Sequence, residues 1–412
     1  MQRGRCALPV SCARSKVDST MMFNRTKQLL AAGVLVLLVG GAATAEDQDL
    51  AGLQLFGPAE VSSYGRGPMP NEGYFGSIDG LYWGISQPET ATIGQPSVIT
   101  REVWYDAVIS REQRSTLDTS SIGTVFSGGT RVEFGRIVDH HGWMLSTHRL
   151  ETASVGRTFT DVDTVFIDNV PVVGIVDFIT LPDDTVVPVI RSLPITFNQL
   201  TIENKVQTWG VELMRLYRSR QLHNGGFIEF MYGARYFELN EDFTVSTVGG
   251  FSSTGDTGAG NSYWFTRAEN HIVGPQIGLR YFRKFDRWML NLEGRFLGGV
   301  NIQNARQETQ LAVGLADTFG GLGLPYSWTG SSSSSRRTFT EFTPLVEVRA
   351  ELRYQVTRSV SIRGGWTGMW MDNTMRGANM VDYTLPSMGI LAAGNRQDTF
   401  IHGVTVGIDI NR

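Results

Sequence analysis

The chain has 412 residues, of which 18% are charged, 41% hydrophobic and 10% aromatic, and it carries 47 glycines. After residue 40 there is no apolar run of the roughly 20 residues that a membrane helix needs, and 22 Phe, 12 Tyr and 9 Trp exclude a disordered chain. A formal charge of −4 lacks the basic excess of a nucleic-acid binder, which leaves an aromatic- and glycine-rich, all-β protein.

Residues 22–45 read as a secretory signal. Arg25 and Lys27 form the positive n-region, 29–39 is the apolar h-region, and Ala43-Thr44-Ala45 is an A-x-A cleavage site before Glu46. The apolar stretch is too short to span a bilayer. The signal opens at Met21 or Met22, so residues 1–21 are expected to be an upstream start-site artefact. Both cysteines, Cys6 and Cys12, fall there, so no disulfide or Cys-ligated metal is expected of the exported chain. Residues 46–412 hold 30 of the 36 basic and 39 of the 40 acidic residues, a charge of −9, with Lys205 and Lys284 the only lysines. Residues 46–72 are polar and rich in Gly and Pro and are expected to be a periplasmic leader. An exported chain without disulfides needs another source of stability, and closing a sheet into a barrel, which leaves no strand edge unpaired, supplies one.

From residue 73 the pattern has period two. A first strand spans 73–86, and a long connection follows to Thr130, within which 98–127 has room for a further hairpin. A tight turn at 139–142 joins 130–138 to 143–153, and a long stretch then runs to about residue 200. A turn near His223-Asn224-Gly225 joins 206–220 to 226–239, where Ile228, Phe230, Tyr232, Ala234 and Tyr236 oppose Glu229 and Arg235. After a Gly/Ser/Thr loop at 244–262, Val273, Ile277, Leu279 and Tyr281 oppose Gln276 and Arg280. Across the tight turn at Asp286-Arg287, Trp288, Leu290, Leu292, Phe296, Val300 and Ile302 share one face, and Asn291, Glu293, Arg295 and Asn301 share the other with Met289 and Leu297. A long connection at 304–338 leads to 342–356, apolar on its even positions and charged at Glu347, Arg349, Glu351 and Arg353. The next strand carries Arg363, a long connection covers 374–397, and the last strand sets Phe400, Val404, Val406, Ile408 and Ile410 against Thr405, Asp409 and Asn411.

These strands exceed the 5 or 6 residues usual in soluble proteins and match the 9 to 11 or more of tilted membrane strands. Short and long connections alternate, as they do between the periplasmic and external ends of outer-membrane barrels. The expectation is a transmembrane antiparallel up-and-down β-barrel over 73–412, with ten strands counted and about 10 to 14 allowed. Tyr281, Phe285, Trp288 and Tyr354 at strand ends suit an interfacial girdle.

Gly76 with Gly80-Leu81-Tyr82-Trp83, the segment Asn270-x-x-x-Gly274-Pro275-Gln276-Ile277-Gly278-Leu279-Arg280-Tyr281, and the closing Gly403-Val404-Thr405-Val406-Gly407 resemble a planctomycete family of outer-membrane β-barrel porins. The resemblance covers essentially the whole chain after the signal and implies an outer-membrane location. One departure is the terminus Asp409-Ile410-Asn411-Arg412, which lacks the aromatic last residue of many outer-membrane barrels.

No enzyme signature stands out. His140-His141 sits in a predicted turn without a spaced third metal ligand. Ser146 and His148 lie on one strand face without a third triad member. Asp161, Asp163, Asp168, Asp183 and Asp184 lack the calcium-loop spacing. No catalytic residue, metal or cofactor is expected. The unusual constellation is the charged face, comprising Glu229, Arg235, Gln276, Arg280, Glu293, Arg295, Glu347, Arg349, Glu351, Arg353 and Arg363, which is expected to line the lumen. It serves either as the wall of a pore passing small hydrophilic solutes by passive diffusion or as a plug that cross-links the lumen shut, and barrel width decides between them. In the second case the barrel is structural or acts through the external connections at 154–200 and 304–338. Expected partners are outer-membrane lipid, the barrel assembly machinery and small solutes.

Overall fold

A computed structural model describes residues 71–411 except 95–96, 105–106, 115–116, 167–176, 181–185, 190–192, 249–250, 253–260, 311–331, 358 and 384–388. The expected start-site artefact, the signal, nearly all of the leader, both cysteines, and Asp168, Asp183 and Asp184 lie outside the described residues, and Asp161 and Asp163 have described backbone only.

Ten long strands are present: β1 Gly73–Ile85, β2 Val125–Val138, β3 His141–Phe166, β4 Leu193–Arg218, β5 Gly226–Val248, β6 Ser262–Phe285, β7 Trp288–Gln310, β8 Ser332–Gln355, β9 Val360–Thr374 and β10 Gln397–Asn411. Each pairs antiparallel with its chain neighbours, and β1 pairs with β10 from Phe75↔Asn411 to Ile85↔Ile401, which closes the barrel. A two-residue strand, Phe251–Ser252, adds to the outer end of β4. The expected ten-stranded up-and-down barrel is therefore the observed one. Among the described residues no helix is long and apolar enough to cross a membrane.

The tight turns follow from local backbone chemistry. Asp139 and Asp286 adopt left-handed φ of 55° and 54°, a conformation that Asp tolerates better than most residues, and each opens a two-residue hairpin turn. Gly225, at φ 78°, ends the 219–225 turn.

The alternation resolves into two faces. Ile277, Leu279, Phe296, Val300, Phe342, Leu352, Val404, Val406 and Ile408 are exposed on the outside, while their chain neighbours are buried inside. Ionic residues enclosed by a wall with an apolar exterior fit lipid and not water. Aromatic rings mark the tight-turn edge of this band: Trp288 and Tyr354 pack with tilted rings at 4.9 Å, and Phe134 meets Trp143 edge-on at 5.5 Å.

Two expectations are corrected. The connections at 154–200, 244–262 and 304–338 begin later and end earlier than expected, because β3 to β8 continue well past the apolar band. Beyond the band the outward face meets polar surroundings, so the apolar exterior fades while the hydrogen-bond ladder persists. Polar pairs take over there: Lys205 with Glu203 at 2.9 Å, Arg267 with Asp242 at 2.7 Å, and Arg306 with Glu308. The segment 98–127 does hold a hairpin, Ser97–Trp104 with Ala107–Arg114, but it forms a separate two-stranded sheet outside the barrel.

Candidate functional site

The barrel interior is layered. At the tight-turn end lie Phe75, Ile137, Met144, Met214, Leu216 and Met231, with Phe227, Phe282 and Met289 beside them. Next comes an ionic layer. Above it sits an apolar belt that includes Trp83, Leu150, Val206, Phe237, Ile272, Leu297, Met369 and Ile401. Above that, Asn and Thr side chains hold the connection between β9 and β10.

All eleven residues singled out on the charged face are buried, none more than 6% exposed. Ten of them are charged or pair directly with charges in one network, and Gln276 joins it by donating to Glu212 at 2.8 Å. Eight arginines (Arg131, Arg218, Arg235, Arg280, Arg295, Arg349, Arg353, Arg363) meet eight carboxylates (Asp79, Glu133, Glu212, Glu229, Glu293, Glu347, Glu351, Asp409), so the layer is formally neutral. Every strand except β3 supplies at least one of them.

The links run around the wall and across it. Arg218 donates to Glu229 at 2.7 Å, and Arg280 bridges Glu229 at 3.1 Å and Glu293 at 2.7 Å. Arg131 on β2 reaches Glu351 on β8 at 2.9 Å, and Arg349 on β8 reaches Glu133 on β2 at 2.7 Å. Arg235 on β5 pairs with Glu347 on β8, and Arg295 on β7 pairs with Glu212 on β4. None of these four pairs joins hydrogen-bonded neighbours, so their side chains meet across the bore. Arginine suits such sites because its planar fork serves two carboxylates at once. Asp79 shows the pattern: Arg131 donates to one oxygen at 2.8 Å and Arg363 to the other at 2.5 Å. Gly407, opposite Asp79 on β10, leaves the space its carboxylate occupies, since a Cβ there would collide with it.

Charge pairs this deeply buried have large desolvation costs that are offset only when the hydrogen bonding is nearly complete. Here the pairing is dense, and the arrangement can brace the wall at ten-strand width. Chemically it presents no reacting group. Ser146 and His148 face the interior: Ser146 stands between Glu133 and Glu212 in the strand register, and His148 lies between Trp83 and Phe237, with ring centroids 5.9 and 5.5 Å away. His140 and His141 sit at the tight-turn end, where His140 Nδ1 lies 3.1 Å from the Arg218 carbonyl and His141 packs on Tyr217. Seven strand residues, roughly 23 Å, separate His141 from His148, so the three histidines do not converge.

The upper end is closed by chain. Past β9, the Asn373 carbonyl accepts from Gln303 at 2.9 Å and from Thr343 at 3.1 Å, and Asn270 exchanges two 2.8 Å hydrogen bonds with the Met375 backbone. Arg376, 1% exposed, donates to Glu241 at 2.6 Å and to the Ser86 carbonyl at 3.0 Å. Met375, Met380 and Ile390 then pack on Ala268 and Ala305.

Sequence reasoning missed six of the sixteen charged residues of this network, Asp409 among them. Asp79, Arg131, Glu133, Glu212 and Arg218 carried the same alternation signal, opposite Ile78, Val132, Phe134, Leu213 and Tyr217. The apolar belt had no such signal, because an inward Phe237 or Met369 reads like an outward one. Arg376, in an expected loop, had none either.

Solved structures with some likeness include the outer membrane protease OmpT from Escherichia coli, at 9% identity and TM-score 0.36, covering 83% of this chain and 97% of that one. A Pseudomonas aeruginosa FadL homologue matches at 8% identity and TM-score 0.21, covering 82% and 90%. The Ralstonia pickettii toluene transporter TbuX matches at 9% and 0.20, covering 83% and 90%. Likeness at this level carries no argument about activity. No curated protein matches the chain. A family model does, over residues 104–411, and it bears out the expected porin resemblance without addressing a planctomycete source. With a membrane-facing barrel exterior and a match over most of its length, the chain belongs to the outer-membrane barrel family described as putative beta barrel porin-7 (BBP7).

Proposed function

We propose that this barrel is closed along its axis and acts through its external face, as a structural or surface-interaction barrel. The observation that carries the proposal is the set of arginine–carboxylate links between strands on different sides of the bore, Arg131–Glu351 and Arg235–Glu347 among them. Eight strands leave an interior just filled by side chains, whereas 16 to 18 leave an aqueous channel; ten lies close to the first case. The charged residues then brace the wall and do not line a path. The working parts are the connections between β3 and β4 and between β7 and β8, held away from the membrane on extended strands.

The signal at 22–45 is cleaved on export, the barrel assembly machinery inserts the chain, and outer-membrane lipid surrounds the apolar band. The barrel carries no enzymatic activity in this reading, since His140 and His141 at the tight-turn end stand apart from Ser146 and His148. A second reading, passive diffusion of small hydrophilic solutes, is favoured by the family's description as porins.

Reconstitution of the folded protein in a planar bilayer separates the two. The expected record is flat, without single-channel steps across a range of voltages. Reproducible steps from folded protein would overturn the closed-barrel reading and establish solute passage.

A further inference from the structure

A cavity of about 50 Å³ opens at the tight-turn mouth of the barrel, beneath the ionic layer. Its lining includes Arg353, Lys284 and Arg287, together with Ser359, Ser361 and the one acidic residue Asp409. Arg353 is the exception among the eight arginines of the network. Each of the other seven makes an ion pair of 2.9 Å or less. Arg353 has Asn71 and Asp409 at 3.4 Å and Glu351 at 3.5 Å, and its Nε has no hydrogen-bond partner among the described residues, although the side chain is only 7% exposed. Its direct cross-strand partner is another cation, Arg363, whose own carboxylates are already close. Lys284 is one of only two lysines beyond residue 27, and no described acid pairs with it. A buried, loosely satisfied guanidinium facing a cavity beside two further cations is a receptor for an anion with several acceptor oxygens.

We propose that this mouth binds a phosphate-type oxyanion, with Arg353 as its buried anchor, Lys284 and Arg287 as outer cations, and the Ser359 and Ser361 hydroxyls as neutral donors. Free inorganic phosphate and the phosphodiester of an inner-leaflet lipid headgroup offer the same chemistry, and the mouth lies where either can reach it.

The test uses the full chain refolded in zwitterionic detergent, titrated with inorganic phosphate against sodium chloride at matched ionic strength. Thermal unfolding and calorimetric binding are the readouts. A parallel arm uses vesicles of phosphatidylcholine with and without phosphatidylglycerol. The site is supported if phosphate raises the unfolding temperature beyond the chloride control and Arg353→Gln weakens binding about tenfold or more. Lys284→Gln, at the cavity's outer edge, keeps the fold intact and is expected to weaken binding by a smaller factor, so a folding defect in the first variant leaves the question answerable. A response to phosphatidylglycerol alone, lost in Lys284→Gln, supports the site with a headgroup as its source. No response to either probe, or an equal response in both variants, overturns the proposal.

Discussion

Two sides of the barrel differ in height. Strands β3 to β8 run 23 to 26 residues, whereas β1, β2, β9 and β10 run 13 to 15. The short side stops near the edge of the apolar band. The tall side continues, and its inner surface there is apolar: Leu200, Ile202, Phe243, Val245 and Trp264 are fully buried. Nothing on the short side is tall enough to cover them. The cover comes from connections that leave the short strands, Ile93 and Ile122 between β1 and β2, and Ala378, Val381 and Tyr383 between β9 and β10. The difference teaches that strand length and loop composition are matched. Where the wall ends early, the chain that continues from it is apolar and folds inward. Burial among these groups also pushes the Tyr383 phenol up, well above its ordinary range.

The largest expected effect breaks the equality between ion pairs inside the bore and those on the tall outer wall. Replacing Arg235 with Met leaves the buried Glu347 held by Arg349 alone and is expected to cost about 3–5 kcal/mol, read as a shift in urea unfolding from lipid vesicles. A loss below about 1 kcal/mol would mean that the interior charges are hydrated and the bore is open. Next is the junction of the two sides. Arg376→Ala leaves the buried Glu241 without its cation, and roughly 1–3 kcal/mol of lost stability is expected, together with new protease cleavage within 375–395 that the wild type resists. Smaller again is Ile401→Val in the apolar belt, about 0.5–1.5 kcal/mol, measurable by the same unfolding assay. The smallest is Arg267→Gln on the tall outer wall. Its partner Asp242 is solvated, so a change of about 0.2–1 kcal/mol, fading in high salt, is expected. If this exposed pair matched Arg235 in cost, the contrast between inner and outer ion pairs would collapse.

Much of the membrane-embedded part was legible because lipid and an ionic interior impose opposite demands on alternate residues. Trp288 through Ile302 could be assigned a lipid face from hydropathy alone, and the tight turns announced themselves through Asp139 and Asp286. The tall extensions were not legible. At Thr338, Arg306 or Asp242 the outward residue is polar, so the apolar exterior that marks a membrane strand is missing and a paired strand reads like a loop. The ion pairs across the bore were also hidden, because Arg131–Glu351 joins residues 220 positions apart. No spacing rule along one strand reveals which residue it will meet on the far wall. The inward turn after Asn373 depends on Asn270, Asn301 and Gln303, whose amides look like ordinary polar strand residues until the connection lies over them.

The seam between β1 and β10 has a consequence for biogenesis. Gly73 and its followers hydrogen-bond only with β2 until residues 397–411 arrive, so the cylinder cannot shut while synthesis or translocation is under way. Through that interval the leading hairpin exposes a ready pairing edge and greasy flanks such as Ile78 and Tyr82 to the aqueous compartment. Pairing of Gln397–Asn411 with β1 is the zip that ends that exposure.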